Sequence, residues 1–187
     1  MGGFYMVGII IVVIVVLILL YGVATYNKLI RLRNQSEESA AAIDAHLKKR
    51  YDLVPNLVET VKGYAKHESE TLTAVIEARN TAMGATTLTE KNEASNAFSA
   101  TLKSLFALSE SYPDLKANQG FLDLQSQLQK IEEELLHVRK YYNAVINDIN
   151  TMVQTIPSSL VARIARFTKL PYLAIEDEAR AQVNVKF

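Results

Sequence analysis

The apolar positions of this chain fall into two regimes. From Phe4 to Ala24 no residue is charged, and Val7 to Leu20 is an unbroken Val/Ile/Leu run apart from Gly8. At about 1.5 Å per residue, roughly 20 helical residues cross the ~30 Å hydrocarbon core of a bilayer. The pattern predicts a transmembrane helix, with Phe4, Val7, Ile11, Leu17, Leu20 and Ala24 among its spanning residues. Phe4 and Tyr5 at one end, and Tyr21 and Tyr26 at the other, suit the headgroup level. A cleaved signal peptide is the competing reading, since Gly22-Val23-Ala24 offers small residues. It fits less well, because no Lys or Arg precedes the run and the run exceeds a usual signal core.

After this segment the apolar residues recur at helical spacing. Ile43, Leu47, Val54, Val58, Val61, Ala65, Leu72 and Val75 are separated by threes and fours, predicting one helix as far as about Ala82. Pro55 removes an N–H inside it, so a kink or a boundary is expected there. Thr89 with Glu90-Lys91 opens a second helix carrying Ala94, Phe98, Leu102, Leu105 and Leu108, which Tyr112-Pro113-Asp114 stops after about Ser111. A third has the strongest pattern: Phe121, Leu124, Leu128, Ile131, Leu135, Val138, Tyr142, Val145, Ile149, Met152 and Ile156 form a coiled-coil-like seam closed by Pro157. Residues 158–173, with Leu160, Val161, Ile164 and Phe167 interleaved by Arg163, Arg166 and Lys169, predict a short basic amphipathic helix. It caps the bundle or lies on an anionic leaflet.

Helices each apolar on one stripe bury those stripes side by side. The expected fold is all-α: an N-terminal transmembrane helix followed by a long up-and-down antiparallel bundle of three long helices plus the short C-terminal one. The expected domains are a tail and transmembrane helix at 1–27, a bundle at 28–173 and a C-terminal tail at 174–187.

Charge settles orientation rather than chemistry. No cation precedes the transmembrane segment, whereas Lys28, Arg31 and Arg33 follow it closely, which predicts an inner-membrane protein with its N-terminus outside and its C-terminal domain in the cytoplasm. Twenty basic residues balance twenty acidic ones, so no whole-molecule field draws the chain to nucleic acid. The absence of cysteine removes disulfides, thiolate nucleophiles and Cys-ligated zinc.

Motifs for chemistry are sparse. His46, His67 and His137 stand in no metal-ligand spacing, and there is no glycine-rich phosphate cradle. No cofactor, metal or small-molecule substrate is implied, and the chain reads as a non-enzyme. The candidate docking residues are Tyr51, Asp52, Pro55 and Asn56 around the proline, Tyr112, Pro113 and Asp114 at the turn, and Tyr141 beside the seam. Pro55 frees a carbonyl in the preceding turn, to be satisfied internally or offered to a partner, internal satisfaction being the favoured outcome. Arg163, Arg166, Phe167 and Lys169 are the candidate lipid contacts.

Several segments resemble the LemA family: Tyr26 to Asn34, Arg50 to Glu68, Ala78-Arg79, Ser111 to Asn118, and Arg139 to Asn143. The resemblance covers essentially the whole chain. It implies a bacterial membrane protein with a short outer tail, one span and a helical-bundle domain, and it implies no settled biochemical activity. Two stretches depart from the family pattern: Ala41-Ala42-Ile43-Asp44 lacks a frequent Trp, and Arg163 to Leu173 matches loosely. The expected function is that of a membrane-anchored, self-associating scaffold or adaptor, with the bilayer and a second copy or another membrane protein as partners. The alternatives are membrane-surface binding or remodelling through residues 158–173, and an accessory hydrolase with a site near His67 and the Tyr112–Asn118 turn.

Overall fold

A computed structural model describes residues 2–175, and the described residues are helical with no strand. Helix α1 spans Gly2–Tyr64, α2 Ser69–Gly84, α3 Leu88–Ser109, α4 Pro113–Lys116, α5 Gln119–Gln154 and α6 Ser158–Ile164. The chain divides into two compact units, one of residues 2–38 and 142–172, the other of 39–141 and 173–175. Of the C-terminal tail expected at 174–187, residues 176–187 lie outside the described ones.

The first unit carries the apolar segment. Its most apolar 18-residue window has a mean hydropathy of 3.3 and none of it is buried, so α1 is long and apolar enough to cross a membrane. Burial on α1 begins only at Thr25, Leu29 and Leu32. Leu32 packs against Val145, Ile146 and Ile149 of α5, with Tyr142, Met152, Val153 and Leu170 around them. The chain after α6 is held by Asn150, which is 1% exposed. Its side-chain amide donates to the Leu170 carbonyl at 2.9 Å while its oxygen accepts from the Leu170 N–H at 2.8 Å.

The second unit is an up-and-down bundle, and its polar pairs give the directions. Arg79 on α2 reaches the Tyr51 carbonyl on α1, each fourteen residues from Ala65, so α2 folds straight back on α1. Lys91 pairs with Asp44 and Ser99 with Arg50, so α3 runs parallel to α1. Glu134 lies by His46 and Glu132 by Arg50, so α5 returns antiparallel to both.

Two expectations are corrected here, and one is narrowed. The helix expected to reach Ala82 ends at Tyr64 and reverses through residues 65–68. Ala65 and Leu72 are seven residues apart and both buried, so the apolar rhythm passes in phase through a turn that it cannot reveal; Gly63 in the last turn of α1 is the one local weakness. At Pro55, where a kink or a boundary was expected, α1 continues, which leaves out the boundary. The amphipathic helix expected over 158–173 is only seven residues long. Arg166, at φ 58°, ends it in a Schellman arrangement, its N–H donating to the Arg163 carbonyl at 3.1 Å and the Phe167 N–H to the Ala162 carbonyl at 2.9 Å.

Candidate functional site

The polar centre of the bundle is built on two buried arginines. Arg50 takes a place in the apolar stripe of α1 between Leu47 and Val54, and Arg139 lies one turn after Leu135 on α5; they are 3% and 4% exposed. A buried guanidinium needs acceptors for its five N–H groups, and α3 supplies most of them. Arg50 donates from Nη1 to Ser95 Oγ at 3.1 Å and from Nη2 to Ser99 Oγ at 2.9 Å. Arg139 donates from Nη2 to the same Ser95 hydroxyl at 3.0 Å and from Nη1 to Asn96 Oδ1 at 3.3 Å. Glu132 closes the network, 2.7 Å from Arg50 Nη2. Arg50 Cζ sits 5.0 Å from the Phe98 ring centre, within cation–π reach, and Tyr51 meets the same ring edge-on at 5.7 Å. Burial pushes the Tyr51 phenol above its ordinary value although Arg50 and Arg139 pull the other way. A cleft of about 240 Å³ opens beside this network, walled by Leu102, Phe106, Leu128 and Gln129.

Around Pro55 the candidate docking residues separate. Tyr51 is turned into the core, whereas Asp52, Pro55 and Asn56 are exposed. Asp52 is held by Lys48 at 2.6 Å. The carbonyl that Pro55 deprives of its helical donor is that of Tyr51, and Arg79 Nε donates to it at 2.8 Å. The free carbonyl is thus satisfied within the bundle.

The turn at Tyr112 meets the turn that ends α1. Tyr112 Oη donates to Glu68 Oε1 at 2.9 Å, and that hydrogen bond is the chief cause of the phenol's raised pKa. Asn118 Nδ2 donates to Tyr64 Oη at 2.9 Å, while Asn118 Oδ1 caps α5 by accepting from the Phe121 N–H. Pro113 and Asp114 begin α4 and are exposed, as is His67. These bonds bring together the two turns expected to form a hydrolase site, but the carboxylate at the junction holds Tyr112.

The remaining candidates lie outside the network. Tyr141 is exposed on α5. Phe4, Val7, Ile11, Leu17, Leu20 and Ala24 are bare on α1, and Lys28, Arg31 and Arg33 are exposed one to three turns later, Arg33 pairing with Glu37 at 3.0 Å. Arg163, Arg166 and Lys169 are exposed and Phe167 is half-buried.

A profile of the LemA family matches residues 39–187. The chain belongs to the LemA family. The LemA match takes in the whole arginine network and both joined turns. Among curated proteins, Protein LemA of Metamycoplasma hominis is 26% identical over 145 residues, which cover 75% of this chain and 65% of that protein. This chain therefore spans a little under two thirds of its LemA relative.

Sequence reasoning missed Arg50 and Arg139 as the centre of the bundle. Register was the available signal: both are charged residues standing at spacings of three or four from apolar core positions.

Proposed function

We propose that this LemA protein is a membrane-anchored, non-catalytic scaffold or adaptor. The observation that supports it best is the continuity of α1, which runs from Gly2 to Tyr64 and carries both the bare apolar segment and the buried stripe of the bundle. A chain that passes from the apolar segment into the bundle without a linker segment suits an anchored docking role. Polar groups drawn together in the bundle hold one another: Arg50 and Arg139 share Ser95, and Glu68 holds Tyr112. The exposed Lys28, Arg31 and Arg33 favour a cytoplasmic bundle at the inner membrane.

Self-association is the finer part of the proposal. It falls to exposed faces rather than to the α5 seam, because Phe121, Leu128, Ile131 and Leu135 are buried within the chain itself. Tyr141 and the Asp52–Asn56 surface are the docking positions to probe. The test is site-specific photo-crosslinking of full-length protein in native membranes, with the crosslinker at Tyr141 and at Asn56. Reproducible adducts to a second copy or to one membrane protein are expected. A chain that stays monomeric and uncrosslinked at every position would sink the scaffold reading.

A further inference from the structure

Helix α6 has its small and large residues on the wrong sides for water. It buries Ser158 and Ala162, and it turns out Leu160 and Ile164, which are 58% and 84% exposed. Residues four apart share a helix face and residues two apart point nearly oppositely, so Leu160 and Ile164 form one ridge and the buried pair forms the other side. Ile156, just before the helix, is also largely exposed. Between Asp148 and Glu176 the sequence has no acidic residue, while Arg163, Arg166 and Lys169 are all exposed.

The unit that contains α6 also contains the apolar length of α1. Within it Leu32 packs on Val145, Ile146 and Ile149, and Leu29 and Thr25 are buried one and two turns closer to the apolar segment. Met152 and Val153, farther along α5, pack around the same cluster, so α5 continues past Leu32 and leads into α6. From Ala24 back to Gly3 no described side chain of α1 is buried. α6 thus follows α5 within the unit in which α1 loses its protein cover. Tyr21, Tyr26 and Tyr172 are exposed in the same unit, and amphipathic rings favour the headgroup layer.

We infer that α6 lies in the surface of the bilayer that α1 spans, with Leu160 and Ile164 among the acyl chains and Arg163, Arg166 and Lys169 on anionic headgroups. The seating gives the protein a second membrane contact in addition to its transmembrane helix. It rests on α1 being inserted and needs no protein partner, so it stands or falls apart from the scaffold proposal.

The chain has no cysteine, which allows single reporters. Full-length Leu160→Cys, Ile164→Cys, Ile14→Cys and Lys130→Cys would each be labelled with an environment-sensitive fluorophore. Each would then be reconstituted in vesicles of phosphatidylcholine and phosphatidylglycerol in equal parts, with nitroxide-bearing lipid as quencher. Labels at 160 and 164 should be blue-shifted and quenched several-fold more than the label at the exposed Lys130, most strongly by nitroxides near the headgroup; Ile14 should respond to deep nitroxides. Quenching at Ile14 with water-like behaviour at 160 and 164 overturns the seating. Shielding that grows with the protein-to-lipid ratio, without lipid quenching, assigns the ridge to a second copy and also overturns it. An unquenched Ile14 removes the anchor and the seating together. Replacing Arg163, Arg166 and Lys169 by Gln should weaken quenching at 160 in these vesicles and leave it unchanged in phosphatidylcholine alone. No difference in either vesicle rejects the headgroup role of the three cations.

Discussion

Arg79 donates from Nε to the Tyr51 carbonyl at 2.8 Å, filling the place of the N–H that Pro55 lacks. The bond crosses from α2 to α1 and is charge-assisted, a class worth about 1.5–3 kcal/mol. Arg79 is half-buried, so Arg79→Gln should destabilise the protein by about 1–2 kcal/mol in denaturant unfolding. In a Pro55→Ala background the restored N–H competes for the same carbonyl, and the cost of Arg79→Gln should fall to under about 0.5 kcal/mol. Additive effects in that double-mutant cycle would disconnect the proline from the arginine.

The Ser95 hydroxyl is shared by Arg50 and Arg139. Ser95→Ala removes the hydroxyl that accepts from both buried guanidinium groups and should cost about 2–3 kcal/mol. Ser99→Ala removes a hydroxyl that accepts from Arg50 alone of the two arginines, and should cost less. Equal unfolding midpoints for the two variants would show that Ser95 is not the joint of this network.

Thr87 and Glu90 form a capping box at the start of α3. The Thr87 hydroxyl accepts from the Glu90 N–H, and the Glu90 carboxylate accepts from the Thr86 and Thr87 N–H groups at 3.1 and 3.0 Å. These bonds, the Thr87 N–H foremost, lower the Glu90 pKa from 4.5 to about 2. A folded-state pKa below the unfolded one means that the contribution is complete above about pH 4.5 and is lost as pH falls towards 2. The stability gap between wild type and Glu90→Gln should therefore close across that interval, as read from unfolding midpoints against pH. Thr87→Ala should cost about 1 kcal/mol near neutral pH.

Arg166 occupies a left-handed backbone position, with φ 58°, where a non-glycine residue is disfavoured by about 1–2 kcal/mol. Arg166→Gly should leave the Schellman cap intact and raise stability by about 1 kcal/mol. The same change should weaken contact with anionic vesicles. A drop in thermal stability would mean that the guanidinium, rather than the turn, governs this site.

What the sequence made legible was periodic and local. The long apolar stretch of α1, the α5 seam and the freed carbonyl at Pro55 all follow from residue type and spacing. The donor to that carbonyl stands 28 residues away, at a distance where no helical rule operates. The reversal at Ala65 stayed hidden because Leu72 resumes the rhythm in phase. The start of α3 was expected at Thr89, but the capping box fixes it at Thr87, two residues earlier. The early end of α6 had no glycine to announce it, since an arginine takes the left-handed place. Arg50 and Arg139 drew no reading of their own, and only their register among core residues marks them as buried.

Within the second unit the buried stripe of α1 runs through Ser39, Ile43, Leu47, Arg50, Val54 and Leu57 to Val61 in steps of three and four. One helix thus behaves as a phased shaft. Deleting a single residue near Asp52 would not be a local lesion: it would turn the part of the stripe before the cut by about 100° against the part after it, setting Ile43 and Leu47 out of line with Leu57 and Val61. Removing seven residues, close to two full turns, would instead keep the stripe nearly in line. Length changes in this helix should accordingly be tolerated by their remainder rather than by their size.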